Sequence, residues 1–239
     1  MHLRRKKKEK NSEEYQKILI TYEKPKAAAS EAFRVLRTNI EFSSFDKKIE
    51  TLLITSTQPA EGKSTVAANL CIAMTMVGKR ILLIDADLRM PSLHKIFAIE
   101  NNTGLTNLII NTSLAPGDVV LETGIQDLWL LTSGPIPPNP AELLASRRMR
   151  EAMKELARNY DAVVVDSPPI MAVSDASILA SYLDGVIFVL GSGIVSRDEA
   201  RTAKEQLNKV SANVLGAVLN KVPLNGSDYY YHKYYERTD

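Results

Sequence analysis

Gly62, Lys63, Ser64 and Thr65 stand between an apolar run, "TLLITS", and a second apolar stretch at helical spacing, "VAANL". Binding a phosphate requires backbone N–H groups converging on the anion, a helix N-terminus with its positive dipole end, and a lysine for the outer oxygens. A strand, a short loop and a helix opening at Gly-Lys-Ser-Thr supply all three. In that arrangement Lys63 reaches the terminal phosphates, Ser64 offers a hydroxyl to Mg2+, and Thr65 begins the helix. Ala60 and Glu61 complete the loop. The strict pattern G-x-x-x-x-G-K-[ST] is not met, because Thr57 occupies the first glycine position. Ala60 also stands where a further glycine would ease close backbone approach. A helix cap that merely contains Gly-Lys-Ser is the plainer reading, and the flanking buried strand and helix argue against it.

Two carboxylates follow in "ILLIDADLRMP", where Asp85 and Asp87 end an apolar run two residues apart. A third, Asp166, ends "DAVVVDSPP". The carboxyl edge of an open α/β sheet is where ligands bind. Carboxylates there hold Mg2+, directly or through water, or take a proton from an attacking hydroxyl. Any one aspartate at a strand end is as often a turn or cap residue, but three around one phosphate loop point to a shared purpose. Arg89 reads either as a phosphate or subunit contact or as a surface arginine.

These residues need a scaffold that brings three strand ends together. Strand-like runs appear at "TLLITS", "RILLID", "LWLLTS", "DAVVVD", "GVIFVL" and "NVLGAVLN", with helical patterns at 64–77, 141–158, roughly 175–183 and 197–210 between most of them. Continuous apolar strands alternating with helices predict an α/β fold, a mostly parallel sheet with helices on both faces. The stretch from 88 to 125 is irregular apart from a short helix near "LTNLII". "EAFRVLRTNIEF" has helical spacing, with Phe33, Leu36 and Ile40 on one face. Cys71, Met74 and Met76 fit a buried helix, and Trp129 a core or loop anchor. Three segments result: a basic, partly disordered stretch at 1–27, a phosphate-loop domain at 28–222, and a tail at 223–239.

Composition narrows the function classes. Hydrophobic residues make up 45% and charged residues 24%, an ordinary globular balance. No apolar run approaches the roughly 20 residues that span a bilayer, and the basic start lacks the apolar stretch of a signal peptide. A lone cysteine excludes an internal disulfide framework. These features predict a cytoplasmic protein. The first ten residues carry six Lys/Arg and one Glu; removing them from 30 basic and 28 acidic residues leaves 24 and 27. Such a body is not that of a nucleic-acid binder. The basic start reads as a solvated segment or as one attracted to an anionic membrane face or acidic partner.

The segments "STQPAEGKST", "IDADLRMP" and "YDAVVVDSPP" together resemble the three Walker-like motifs of the bacterial tyrosine kinases of capsular and exopolysaccharide synthesis. "GPIPPNPAELLAS" resembles that family's proline loop, and the tyrosine-rich end resembles its autophosphorylation cluster. The resemblance runs from about residue 28 to the end of the chain. It implies a P-loop NTPase-like fold and ATP-dependent phosphorylation of tyrosine, with Lys63 and Ser64 on nucleotide and Mg2+. It assigns Asp85 a catalytic-base or metal role, and Asp87 and Asp166 metal coordination. Asn220 lies where related ATPases contact adenine, or is a plain strand cap. Glu31, Arg34 and Arg37 resemble the family's E-x-x-R-x-x-R subunit-interface motif. They fall within one 120° stripe at 100° per residue, which is otherwise a solvated face with intrahelical ion pairs. The family further implies a ring-shaped homo-oligomer when unphosphorylated, a membrane-anchored activator acting as polysaccharide co-polymerase, a cognate tyrosine phosphatase, and tyrosine-bearing protein substrates. Recruitment to the inner membrane face would come through the activator.

The end of the chain, "NGSDYYYHKYYERTD", holds Tyr229, Tyr230, Tyr231, Tyr234 and Tyr235. Seventeen residues from Pro223 span about 55–60 Å when extended, enough to reach another subunit's site, so the tail reads as the enzyme's own substrate. An aromatic patch folded on the domain or gripping a partner is the alternative. Two rival functions use the same loop: an ATPase that positions chromosomes or division sites, and an adaptor that only binds nucleotide. Positioning ATPases usually carry an extra lysine early in the loop, and no lysine lies between Glu50 and Lys63. An adaptor would make the carboxylates superfluous.

Overall fold

The apolar runs form strands β1 (Thr51–Ser56), β2 (Ile81–Asp85), β4 (Leu128–Leu131), β5 (Ala162–Asp166), β6 (Gly185–Gly191) and β7 (Val214–Asn220), joined by a two-residue β3 (Leu121–Glu122). They are seen in a computed structural model that describes residues 18–43 and 48–223. The basic stretch at 1–17 and the tyrosine tail lie outside these residues. One sheet runs in the order β3-β4-β2-β5-β1-β6-β7. Every pairing is parallel except β3 on β4.

Each central strand is buried on both faces. Leu53, Leu82, Ile84, Val163, Val165, Val186 and Phe188 enter one core cluster, while Leu52, Ile54, Ile81, Leu83, Val164, Ile187 and Val189 enter the other. Strand side chains alternate between faces, so each run must be apolar throughout. Truncating Leu53 or Leu83 to alanine in such a core costs about 2–5 kcal/mol.

On one face lie α1 (Ile20–Glu23), α2 (Ala28–Ser43) and α3 (Lys63–Thr75). Val66 through Met74 are all buried, as a helix apolar all round must be. Ile40, Phe33 and Leu36 of α2 pack into the same cluster. Met76, just past the end of α3, is 44% exposed, which corrects its placement in the core.

The region 88–125 holds the short helices α4 (Leu93–Ile96) and α5 (Leu105–Ile110). The single helix expected at 141–158 is divided into α6 (Pro140–Ala145) and α7 (Arg147–Asn159). Ser146 adopts an extended ψ of 154° and accepts a hydrogen bond from Met149 N at 3.1 Å, so it caps α7 instead of continuing α6. Met149, Ala152, Met153 and Leu156 bury one face of α7. Helices α8 (Asp175–Ala180) and α9 (Arg197–Lys209) complete the second face. Trp129 anchors by ring contact with Tyr160, centroids 5.4 Å apart. No described helix is long and apolar enough to cross a membrane.

Because β2, β5 and β1 are neighbours, their three carboxyl ends converge. The phosphate loop, Asp85 and Asp166 sit on those ends.

Candidate active site

The loop after β1 turns into α3 at Gly62, whose φ of +90° is left-handed. A Cβ there would lie 2.3 Å from Asn220 Nδ2, so conformation and space both demand glycine. Ala60 also takes a left-handed φ of +66°. Glu61 is buried, and its carboxylate accepts N–H from Gln58 and from Gly191, each at 2.6 Å. That side chain braces the loop from within, which leaves only its backbone N–H to meet a ligand. Asn220 donates its amide to Glu61 O at 2.8 Å, so the end of β7 touches the loop directly. α3 begins at Lys63, two residues before the Thr65 start expected from sequence, and the Thr65 carbonyl accepts from Asn69 Nδ2.

Lys63 Nζ lies 3.1 Å from Asp87 Oδ2 and 3.5 Å from Asp166 Oδ2. It also donates to Ser64 Oγ at 3.3 Å. Burial works against its charge, but Asp166 and Asp87 outweigh that and hold the ammonium above its ordinary pKa. Asp87 Oδ1 accepts from Met90 N at 2.9 Å, fixing the turn that follows β2.

Asp85 and Asp166 are opposed in register on β2 and β5. Oδ2 of Asp85 accepts the N–H groups of Ser92 and Leu93, each at 3.0 Å, and so ties α4 to the strand end. Its Oδ1 receives only a 3.3 Å contact from Asp87 N. Burial, with Asp166 alongside, pushes Asp85 up to about 7. Neither carboxylate oxygen of Asp166 makes a close hydrogen bond; Oδ2 meets the Lys63 ammonium only at 3.5 Å, and burial raises the pKa of Asp166 against the pull of Lys63 and Ser64. A buried carboxylate so loosely engaged is costly unless a ligand completes it.

This donor set fits Mg2+. Magnesium usually keeps several waters and is bound through one or two carboxylates plus substrate phosphates, and Asp166 with the Ser64 hydroxyl offers such a half-site. The described residues hold no cluster of three His, Cys, Asp or Glu spaced as a closed metal cage.

Ser92, absent from the sequence reading, donates its hydroxyl to Ser64 Oγ at 3.0 Å. No motif marks it; only the turn held by Asp85 brings it there. Arg89 is engaged within the chain. Its Nε and Nη2 bind the buried Asp175 carboxylate at 2.9 and 3.1 Å, a fork matched to a carboxylate.

The Glu31, Arg34 and Arg37 stripe has partners within the chain. Arg34 pairs with Glu31 at 2.6 Å and donates to Pro25 O at 2.8 Å. Arg37 Nη1 donates to Ala73 O at the end of α3, at 2.8 Å, while its buried Nε has no partner. Tyr229, Tyr230, Tyr231, Tyr234 and Tyr235 lie outside the described residues.

A family model described as "AAA domain" matches residues 49–214. The tyrosine-protein kinase YwqD of Bacillus subtilis (strain 168) is 45% identical over 218 residues, 91% of this chain and 92% of that protein. Among solved structures, the chimerical protein CapA2B2 matches with a TM-score of 0.83 and 41% identity, covering 87% of this chain and 91% of that one. The septum site-determining protein MinD of Pyrococcus horikoshii OT3, complexed with Mg-ADP, matches with a TM-score of 0.63 at 23% identity, over 74% of this chain and 72% of that one. At that identity the last shares only the fold.

Proposed function

The chain belongs to the bacterial tyrosine-protein kinases, and we propose that it transfers the terminal phosphoryl group of ATP to tyrosines of its own tail and of partner proteins in capsular or exopolysaccharide synthesis. The observation that carries this reading is the buried, loosely engaged Asp166 carboxylate, 3.5 Å from Lys63 at the mouth of the phosphate loop.

Phosphoryl transfer is mostly alignment and neutralisation of charge. The backbone N–H groups of Ala60, Glu61, Gly62, Lys63, Ser64 and Thr65 cradle the phosphates, and the Lys63 ammonium meets their outer oxygens. Ser64, Asp87 and Asp166 would hold Mg2+, whose charge would offset that on the transferring group. Asp85 takes the tyrosine proton. A phenol ordinarily ionises near pH 10, so its proton needs an acceptor, and the Asp85 carboxyl, with one lightly engaged oxygen, is placed for that. Asn220 borders the base of the nucleotide.

The tail tyrosines are the first substrates of this reading. The wider assembly is a ring of unphosphorylated subunits through the Glu31, Arg34 and Arg37 helix, a membrane-anchored activator that recruits the kinase to the inner membrane face, and a phosphatase that resets the tail. The positioning-ATPase alternative keeps the fold but leaves the tyrosine cluster without a task. The reading is tested by incubating purified protein with ATP and Mg2+, alone and with the activator's cytoplasmic segment, and probing for phosphotyrosine beside Lys63→Met. Tyrosine phosphate absent under both conditions overturns it.

A further inference from the structure

Ala60 and Lys221 are both non-glycine residues in left-handed backbone, with φ of +66° and +59°. They meet: Lys221 Nζ donates to Ala60 O at 2.6 Å. The neighbouring residue Asn220 donates to the next carbonyl of the loop, Glu61 O, at 2.8 Å. Two consecutive side chains at the end of β7 therefore hold two consecutive carbonyls of the phosphate loop. β7 is itself fixed there, since Asn220 pairs with Gly191 of β6 and accepts from Ser192 N at 2.8 Å. Gly191 N in turn donates to the Glu61 carboxylate.

The chemistry of the trans peptide gives these bonds a purpose. In a trans peptide the carbonyl of one residue and the N–H of the next point in opposite directions, and the described chain has no cis bond. Holding the carbonyls of Ala60 and Glu61 on the β7 side turns the N–H groups of Glu61 and Gly62 the other way, toward the face where phosphate is cradled. Glycine would adopt a left-handed conformation unaided, whereas alanine pays steric strain for it. The strained alanine needs an external hold, and Lys221 supplies it.

We propose that Lys221 is a positioning residue of the nucleotide site, whose ammonium compensates for alanine at position 60 by keeping the loop's N–H groups aimed at phosphate. This rests on the nucleotide-binding reading of the loop and adds to it a residue outside every recognised motif. Lys221 also lies two residues before the tail begins.

The test is a double-mutant cycle on the full chain, read as ADP·Mg2+ affinity by titration calorimetry, with unliganded melting temperatures measured in parallel. Lys221→Met weakens ADP about 5–10-fold, the scale of one charge-assisted hydrogen bond. In an Ala60→Gly background the same substitution costs less than about 2-fold, because the two sites are coupled. Lys221→Arg, which keeps a donor, stays within about 2-fold of the unsubstituted protein. Equal losses in the alanine and glycine backgrounds would show that the lysine acts on the nucleotide itself and overturn the proposal. So would a fall in melting temperature with ADP affinity unchanged. If the unsubstituted protein binds no ADP·Mg2+, the nucleotide reading fails first and the proposal fails with it.

Discussion

Asp85 and Asp166 stand side by side at the last positions of two adjacent parallel strands, both fully buried, with Lys63 reaching Asp166 from the loop after β1. Two carboxylates held that close and out of water resist carrying charge together. The arrangement suits a site that holds a cation and phosphates.

The first consequence is a dependence of stability on pH. Asp85 is pushed from the ordinary carboxylate range up to about 7, by burial first and Asp166 second. A carboxyl with a raised folded-state pKa contributes its full stability below the unfolded value near 4, and that stability is lost as pH rises through the folded value. In chelator, without nucleotide, unfolding free energy therefore falls on the order of 2–4 kcal/mol between about pH 4 and about pH 7. Urea titration across that range measures it. Asp166→Asn removes the like charge, moves the transition to lower pH and flattens the profile. A profile unchanged by Asp166→Asn would contradict the coupling.

Lys63→Met removes the cation that faces Asp87 and Asp166. Phosphotransfer falls at least about 100-fold, as expected when a preorganised charge at the transferring group is lost. Circular dichroism distinguishes this from unfolding.

Gly62→Ala places a methyl 2.3 Å from Asn220 Nδ2 on backbone at φ +90°. Nucleotide affinity drops more than about 10-fold, a combined effect of strain and overpacking. Asn220→Ala does not restore it, because relieving the contact leaves the backbone strain in place. Calorimetric titration of ADP·Mg2+ with the single and double variants decides the point.

Tail phosphorylation adds about −1.5 to −2 charge per tyrosine at pH 7, on a body that is already slightly acidic. Repulsion then disfavours a packed ring, so phosphatase treatment should convert smaller species into larger ones in size-exclusion chromatography with light scattering. The same mass before and after treatment rules this out.

The parts of this molecule that follow from local pattern were readable in its sequence. Six strands announced themselves as apolar runs, continuous in β1, β2, β5 and β6 because those four are covered on both faces, and Gly62, Lys63 and Ser64 announced the loop. What escaped depends on long-range pairing or on backbone dihedrals. Arg89 and Asp175 are 86 residues apart, so nothing local in the sequence marks their ion pair. The break at Ser146 is one residue wide inside an otherwise unbroken helical pattern. Glu61 reads in the sequence only as a residue of the loop, and the approach of Gly191 reveals that its carboxylate turns inward. Ser92 and Lys221 carry no motif, and the left-handed conformations of Ala60 and Lys221 cannot be read from residue type.

The central claim is that this site phosphorylates tyrosines of the chain's own tail. Its most direct test is phosphosite mapping by mass spectrometry after incubating the full chain with ATP and Mg2+, with the activator's cytoplasmic segment present. Phosphate is expected on two or more of Tyr229, Tyr230, Tyr231, Tyr234 and Tyr235, and on none of them in Lys63→Met. ATP hydrolysis with all five tyrosines unmodified would contradict it and favour the positioning ATPase.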